Sequence, residues 1–287
     1  MKTTHLLLTV CVMVIWGANY SVIELGLKSL DPFLLTGLRF LCCAIPGVFF
    51  VKRPQVPWAV LIGYGVMFGV GLWGMVNLGM HLGVPPGVAS ILLQLSAFFT
   101  VGWGVLLFKE PLKRTQIWGV LLALLGLLVI VLTTKEQASF FAIGCVVLGA
   151  FAWSACNILV KHYKPENLPA FVIWSSLFSA IPLFLLSYLA SGPHAFLALQ
   201  ADLTGSALFS IAFQAYVTTI FGYSVWSHML KTYPASHIAP LSLLIPIFGF
   251  LTAYLMFDEH VSLAKLAGAA LILLGMVFLM FLHKTRQ

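Results

Sequence analysis

The sequence predicts an all-α membrane protein of ten transmembrane helices, built as two inverted five-helix repeats. Three observations carry that prediction: an apolar composition, ten apolar runs separated by short polar breaks, and motifs that recur at a fixed spacing. Of 287 residues, 61% are hydrophobic and 8% charged, whereas a soluble domain carries about 25% charged residues. Such a chain cannot cover itself with a water-soluble surface. A helix needs roughly 20 mostly apolar residues to cross the hydrocarbon core, so the lipid bilayer is the expected partner and solvent of most of the chain.

Cutting at charges, prolines and polar clusters places spans at 5–27, 32–52, 57–81, 86–108, 115–133, 138–160, 168–190, 205–230, 235–257 and 262–282. The first run carries one lysine and no small-residue cleavage site, so it reads as a retained helix and not a removable signal. Only 191–204, with Gly192, Pro193, His194 and Asp202, has the length of a real loop. That leaves no room for a soluble domain.

The formal net charge of +7 would, in a soluble protein, raise the question of nucleic acid. Here its distribution along the chain is the informative quantity, and no nucleic-acid partner is expected. With the N-terminus on side one, that side collects Lys2, Lys52, Arg53, Lys109, Lys113, Arg114, Lys161, Lys164, Lys231, Lys284 and Arg286 of the 15 Lys and Arg. Lys28, Lys135 and Lys265 fall on the other side, and Arg39 lies within a span. The positive-inside bias then puts both termini in the cytoplasm. All five cysteines (Cys11, Cys42, Cys43, Cys145, Cys156) sit inside apolar runs without metal-ligand spacing. They read as small hydrophobes, with neither disulfide framework nor metal site, and no cofactor motif accompanies them.

The motifs repeat between halves. Phe108-Lys-Glu110 with Gly119 and Gly126 matches Phe257-Asp-Glu259 with Gly268 and Gly275 at one offset of 149 residues, which Pro85 and Pro234 share. Trp16 with Asn19 echoes Trp153 with Asn157, and Pro32 with Pro46 echoes Pro169 with Pro182, allowing one-residue gaps. The repeats are residues 1–134 and 135–287. Because each holds an odd number of crossings, the second enters from the opposite side, which is the symmetry of alternating access. Pro46, Pro182 and Pro246 fall inside spans, where a missing amide permits a kink. The glycine series in the fifth and tenth helices suits close packing and makes those helices a scaffold or a homodimer surface.

Polar side chains at membrane depth are costly unless they pair or face a cavity, so they mark candidate sites. Arg39 lies about two turns into the second helix from the outer face. It either offers its planar fork to a substrate carboxylate or pairs with Glu24 at similar depth. Trp16 and Asn19 share a helix face, as do Trp153 and Asn157. An asparagine amide both donates to a carboxylate and accepts from an ammonium, which suits a zwitterion, although interhelical hydrogen bonding is the bland alternative. Gln94, and behind it Asn77 and Gln214, are further uncharged polar groups within spans. Tyr64, Trp73, Tyr216, Tyr223 and Trp226 are available as aromatic walls, though aromatics also fill membrane helices generally. Proton-coupling candidates are Glu24, His228 and His237, with His81 near an edge. Glu110 and Glu259, beside Lys113, Arg114 and Lys265, read as caps. No nucleophile elbow, zinc-protease helix or phosphate loop is present, so no enzyme is expected.

Val14-Ile-Trp-Gly-Ala-Asn19, Gly37-Leu-Arg-Phe40, Gln94 with Ala97-Phe-Phe-Thr100, and Ala239-Pro-Leu-Ser-Leu-Leu-Ile-Pro246 together resemble the EamA family of the drug/metabolite transporter superfamily, over essentially the whole chain. The resemblance is closest to the amino-acid metabolite efflux members, which export cysteine-pathway compounds such as O-acetylserine and cysteine. It implies a ten-helix inverted-repeat fold and a central cavity lined from both halves. It also implies a small amino-acid-like substrate, with threonine/homoserine, aromatic amino acids or small drugs as neighbouring alternatives. His237 stands where the resemblance leads one to expect an arginine.

Overall fold

A computed structural model describes residues 2–109, 114–134, 138–233, 238–259 and 261–280. Among them, eight helices are long and apolar enough to cross a membrane: α1 (Thr3–Leu27), α2 (Pro32–Phe50), α3 (Trp58–His81), α4 (Pro86–Leu107), α5 (Arg114–Thr134), α6 (Phe140–Tyr163), α7 (Leu168–Ser191) and α8 (Gly205–Thr232). Two shorter apolar helices, α9 (Leu241–Phe257) and α10 (Leu263–Phe278), follow. Each end of the first eight lies within three residues of the span read from hydropathy. The loop before α8 is not wholly irregular, because His194–Leu197 and Leu199–Asp202 each form a helical turn.

Helix starts follow local chemistry. Asp31 accepts from the Phe33 and Leu34 amides (3.0 and 2.9 Å) just ahead of Pro32, and Ser139, Asn167 and Thr204 cap α6, α7 and α8 in the same manner. Each satisfies amides that have no partner within the helix. The start of α4 follows Pro85 and borrows a remote acceptor: the Glu259 carboxylate takes the Gly87 N–H at 3.1 Å. Glu259 is thus a cap across the two halves. Its mate Glu110, with Lys113, Lys135, Pro234 and His237, lies outside the described residues. Of the in-span prolines, Pro46 interrupts its helix: Ile45 is extended (φ −107°, ψ 123°) between Pro32–Ala44 and Gly47–Phe50. That is the backbone region into which a following proline pushes its neighbour.

The helices pack in a pattern that survives exchange of the halves. α1 packs on α8 and α9, and α6 packs on α3 and α4; α2 meets α8, and α7 meets α3. The pairs α2–α7, α4–α9 and α5–α10 join equivalent helices. The backbone repeats its irregularities as well. A π-helical stretch runs through Met67–Gly74 of α3 and Phe213–Phe221 of α8, and 3₁₀ turns occupy Leu93–Leu95 in α4 and Ala239–Leu243 leading into α9. Lys109 and Asp258, at the ends of α4 and α9, are both left-handed (φ 54° and 52°).

The α5–α10 seam is closed by glycine. A Cβ on Gly126 would stand 2.6 Å from the Gly268 carbonyl oxygen, and one on Gly275 would stand 2.5 Å from that of Gly119. The glycines read from sequence as packing positions are therefore taken up by the partner helix in the same chain. Leu121, Leu124, Leu128 and Leu132 of α5 point outward and are exposed, as lipid-facing side chains are.

Candidate functional site

A cavity of about 330 Å³ lies between the halves. Six residues singled out from sequence line it: Trp16 and Asn19 on α1, Gln94 on α4, Trp153 and Asn157 on α6, and Tyr223 on α8. The walls come from both repeats because α1 and α6 occupy equivalent places beside the π-helical stretches of α8 and α3. A π turn carries one extra residue and frees part of the helical hydrogen-bond ladder, a device frequent at functional sites.

The stretch in α8 binds α1 directly. Trp16 Nε1 donates to the Thr218 carbonyl at 3.1 Å, and the Thr218 hydroxyl donates to Asn19 Oδ1 at 2.9 Å. Asn19 is fully buried, and its Nδ2 has no acceptor among the described residues. A buried donor in that state costs on the order of 1–3 kcal/mol until something fills it. Gln94 is held at the 3₁₀ turn of α4, where its amide donates to the Ser242 carbonyl at 3.1 Å, tying α4 to the 3₁₀ turn at the start of α9. The remaining wall is aromatic. Trp16 lies 5.3 Å from Tyr223 and 5.4 Å from Trp226 between ring centroids, and Tyr223 lies 6.2 Å from Trp153.

Arg39 does not line the cavity and does not pair with Glu24. It is fully buried behind the wall, donating to Gln214 Oε1 at 3.3 Å and Thr219 Oγ1 at 3.0 Å in the α8 π stretch. Its guanidinium lies 4.3 Å from the ring centroid of Trp73, in the α3 π stretch. Glu24 is half-buried lower on α1, within electrostatic reach of Lys28 and Glu259. His228 is exposed near the end of α8, its ring 5.8 Å from that of His5, and it is not among the residues that line the cavity.

Tyr64, Trp73 and Trp226 line the cavity as the aromatic reading allowed, but Tyr216 is exposed elsewhere. Asn77 donates to Thr36 Oγ1 at 2.7 Å, a structural tie between α3 and α2. Sequence reasoning missed Tyr20, Thr218, Ser96 and Ser242 on the cavity wall. For Thr218 a signal existed, since two adjacent threonines interrupt an apolar span. That signal is weak because helical threonines commonly satisfy themselves on the preceding turn.

Residues 3–132 and 140–281 match the EamA-like transporter family. The chain belongs to that family. It is therefore a multi-pass membrane protein of a transporter family, and not of an enzyme family. A protein named "Probable amino-acid metabolite efflux pump" from Salmonella typhimurium is 35% identical, covering 98% of this chain and 96% of its own. One of the same name from Escherichia coli K12 is 34% identical, at 96% and 94% coverage. An uncharacterized transporter of Bacillus subtilis is 24% identical, with 97% of each covered. A crystal structure sharing 19% identity superposes over 100% of both chains with a TM-score of 0.66, which shows the fold alone.

Proposed function

We propose that this EamA-family protein is a secondary transporter exporting small amino-acid-like metabolites, of the cysteine/O-acetylserine class, across a bacterial inner membrane. The observation that carries the reading is the cavity between the halves, lined by aromatic side chains and by buried Asn19, whose amide nitrogen has no partner among the described residues. Apolar walls with a few placed polar groups are the make-up of a small-ligand site. The names of the two relatives at 35% and 34% identity support the same solute class.

In this reading all ten helices cross the bilayer, residues 1–134 and 135–287 form the inverted repeats, and both termini are cytoplasmic. The cavity reaches Val160 and Leu168 at the α6–α7 connection and Leu230 near the end of α8, beside Lys161, Lys164 and Lys231. That lysine-rich side is cytoplasmic by the positive-inside bias, so the conformation described faces inward. Rocking of the repeats about the site then presents the solute to the other side. Glu24 is the carboxylate proposed for proton coupling, because it alone of the three candidates is half-buried within a described span.

Efflux from loaded proteoliposomes tests the proposal. O-acetylserine or cysteine should leave faster than from empty-membrane controls, and faster still with an inward proton gradient. A panel including threonine, homoserine, aromatic amino acids and a cationic drug distinguishes the solute class. If only a neighbouring class moves, the cysteine-type assignment falls; if nothing moves, the export reading falls.

A further inference from the structure

The deep end of the cavity lies against a charge that the cavity does not expose. Arg39 is protonated at any physiological pH, is fully buried, and spends its hydrogen bonds on two neutral acceptors, Gln214 and Thr219. Among the described residues its Nε has no partner and no carboxylate is paired with it. Between this cation and the cavity stands the Trp73 ring. Trp73 Nε1 and Asn19 Nδ2 belong to residues that line the cavity, and both are buried N–H donors without acceptors. Tyr20, also on the wall, packs 6.2 Å from Trp73 and completes this end. An uncompensated cation behind a low-dielectric wall, with unsatisfied donors in that wall, favours negative charge in front of it. Trp16 and Trp226, 5.4 Å apart between ring centroids, add ring faces to the wall that suit an ammonium.

We propose that the Asn19–Trp73 end is a carboxylate subsite, and that Arg39 sets its preference for a negative group from behind the wall without touching the solute. Arg39 is thus a positioning residue. This rests on the cavity being the transport site for amino-acid-like solutes, and adds an orientation to it: carboxylate toward Arg39, ammonium toward Trp16 and Trp226. The π stretches give Arg39 its place, since Trp73 comes from one and Gln214 and Thr219 from the other.

Calorimetric binding to the purified full-length protein tests it with S-methyl-L-cysteine and 2-(methylthio)ethylamine, which differ only in the carboxylate. Wild type should bind the acid at least tenfold more tightly. Arg39→Met should bring the two within about threefold of each other, while Arg39→Lys, which keeps the charge, should recover most of the preference. A purely structural role would lower both affinities alike, with no recovery of selectivity by lysine. Should Arg39→Met fail to fold, Asn19→Asp places a competing negative charge in the subsite. It should weaken the acid at least tenfold and spare the amine. Equal wild-type affinity for both compounds, or full preference for the acid in folded Arg39→Met or Asn19→Asp, overturns the subsite while leaving the export reading standing. Wild-type binding of neither compound overturns both.

Discussion

The α2–α8 and α7–α3 contacts occupy equivalent places in the two halves, yet one is built around an arginine and the other around serines and glycines. On the first, Arg39 reaches Gln214 and Thr219. On the second, α7 presents Ser179, which reaches the Gly65 carbonyl at 2.7 Å, while Ser176 bonds Val172 on its own helix and Cys43 of α2. Gly65 and Gly69 let α3 approach so closely that a Cβ on either would meet Ser175 or Ser179. Both α8 and α3 carry a π stretch at this contact. The fold has therefore copied its backbone and placed its charge once, so the cavity has a polar end and an electrostatic direction that the symmetry alone does not supply.

Substitutions on the two contacts sharpen that comparison. The largest effect is expected from Gln214→Leu combined with Thr219→Val, which strands the guanidinium among apolar groups. Removing the partners of a buried charge costs about 3–5 kcal/mol, to be read as lost stability in SDS titration of the folded protein. Gly69→Leu on the opposite contact should cost about 3 kcal/mol by overpacking against Ser179, with no change in solute selectivity among the molecules that still fold. In transport, Asn19→Ala should slow efflux about tenfold, or about 1.4 kcal/mol in the barrier, by removing a donor held in the cavity wall. Asn157→Ala, on the equivalent but less buried position of α6, should slow it by about threefold or less. Equal effects would mean the halves contribute symmetrically. The smallest change is expected for Ser176→Ala, about 0.5 kcal/mol, because its hydroxyl serves a carbonyl that the helix already uses and the weakly hydrogen-bonding Cys43 thiol. A large loss there would place a second polar centre where the contact looks inert.

Much of the fold was legible in the chain because the bilayer imposes a long, simple pattern. Apolar runs ended by Asp31, Pro57 or Asn167 give spans, and Gly126 with Gly268 gives the seam. Trp16, Asn19, Gln94, Trp153, Asn157 and Tyr223 were found because polar or amphipathic side chains in a span need a reason to be there, and all six share one cavity. Trp73 was visible only as one more aromatic. Its importance comes from facing the cavity while stacking on Arg39, a relation between α3 and α2 that periodicity does not encode. Arg39 itself was conspicuous, but depth along the membrane left a solute carboxylate and Glu24 both open as its partner, while rotation of the helices turned it to α8.

By itself, the sequence determined that this protein lives in lipid, that its spans come as a duplicated series, and where its few costly polar side chains lie. Those follow from transfer free energies, which depend on one residue and its near neighbours along the chain. Only the tertiary structure decided that the α3 and α8 helices widen into π turns, that Arg39 stands behind the wall and not in the cavity, and that Asn19 is left with a free amide. Each of these is set by which faces of separate helices meet, and a helix records its own apolar face without recording what will pack against it.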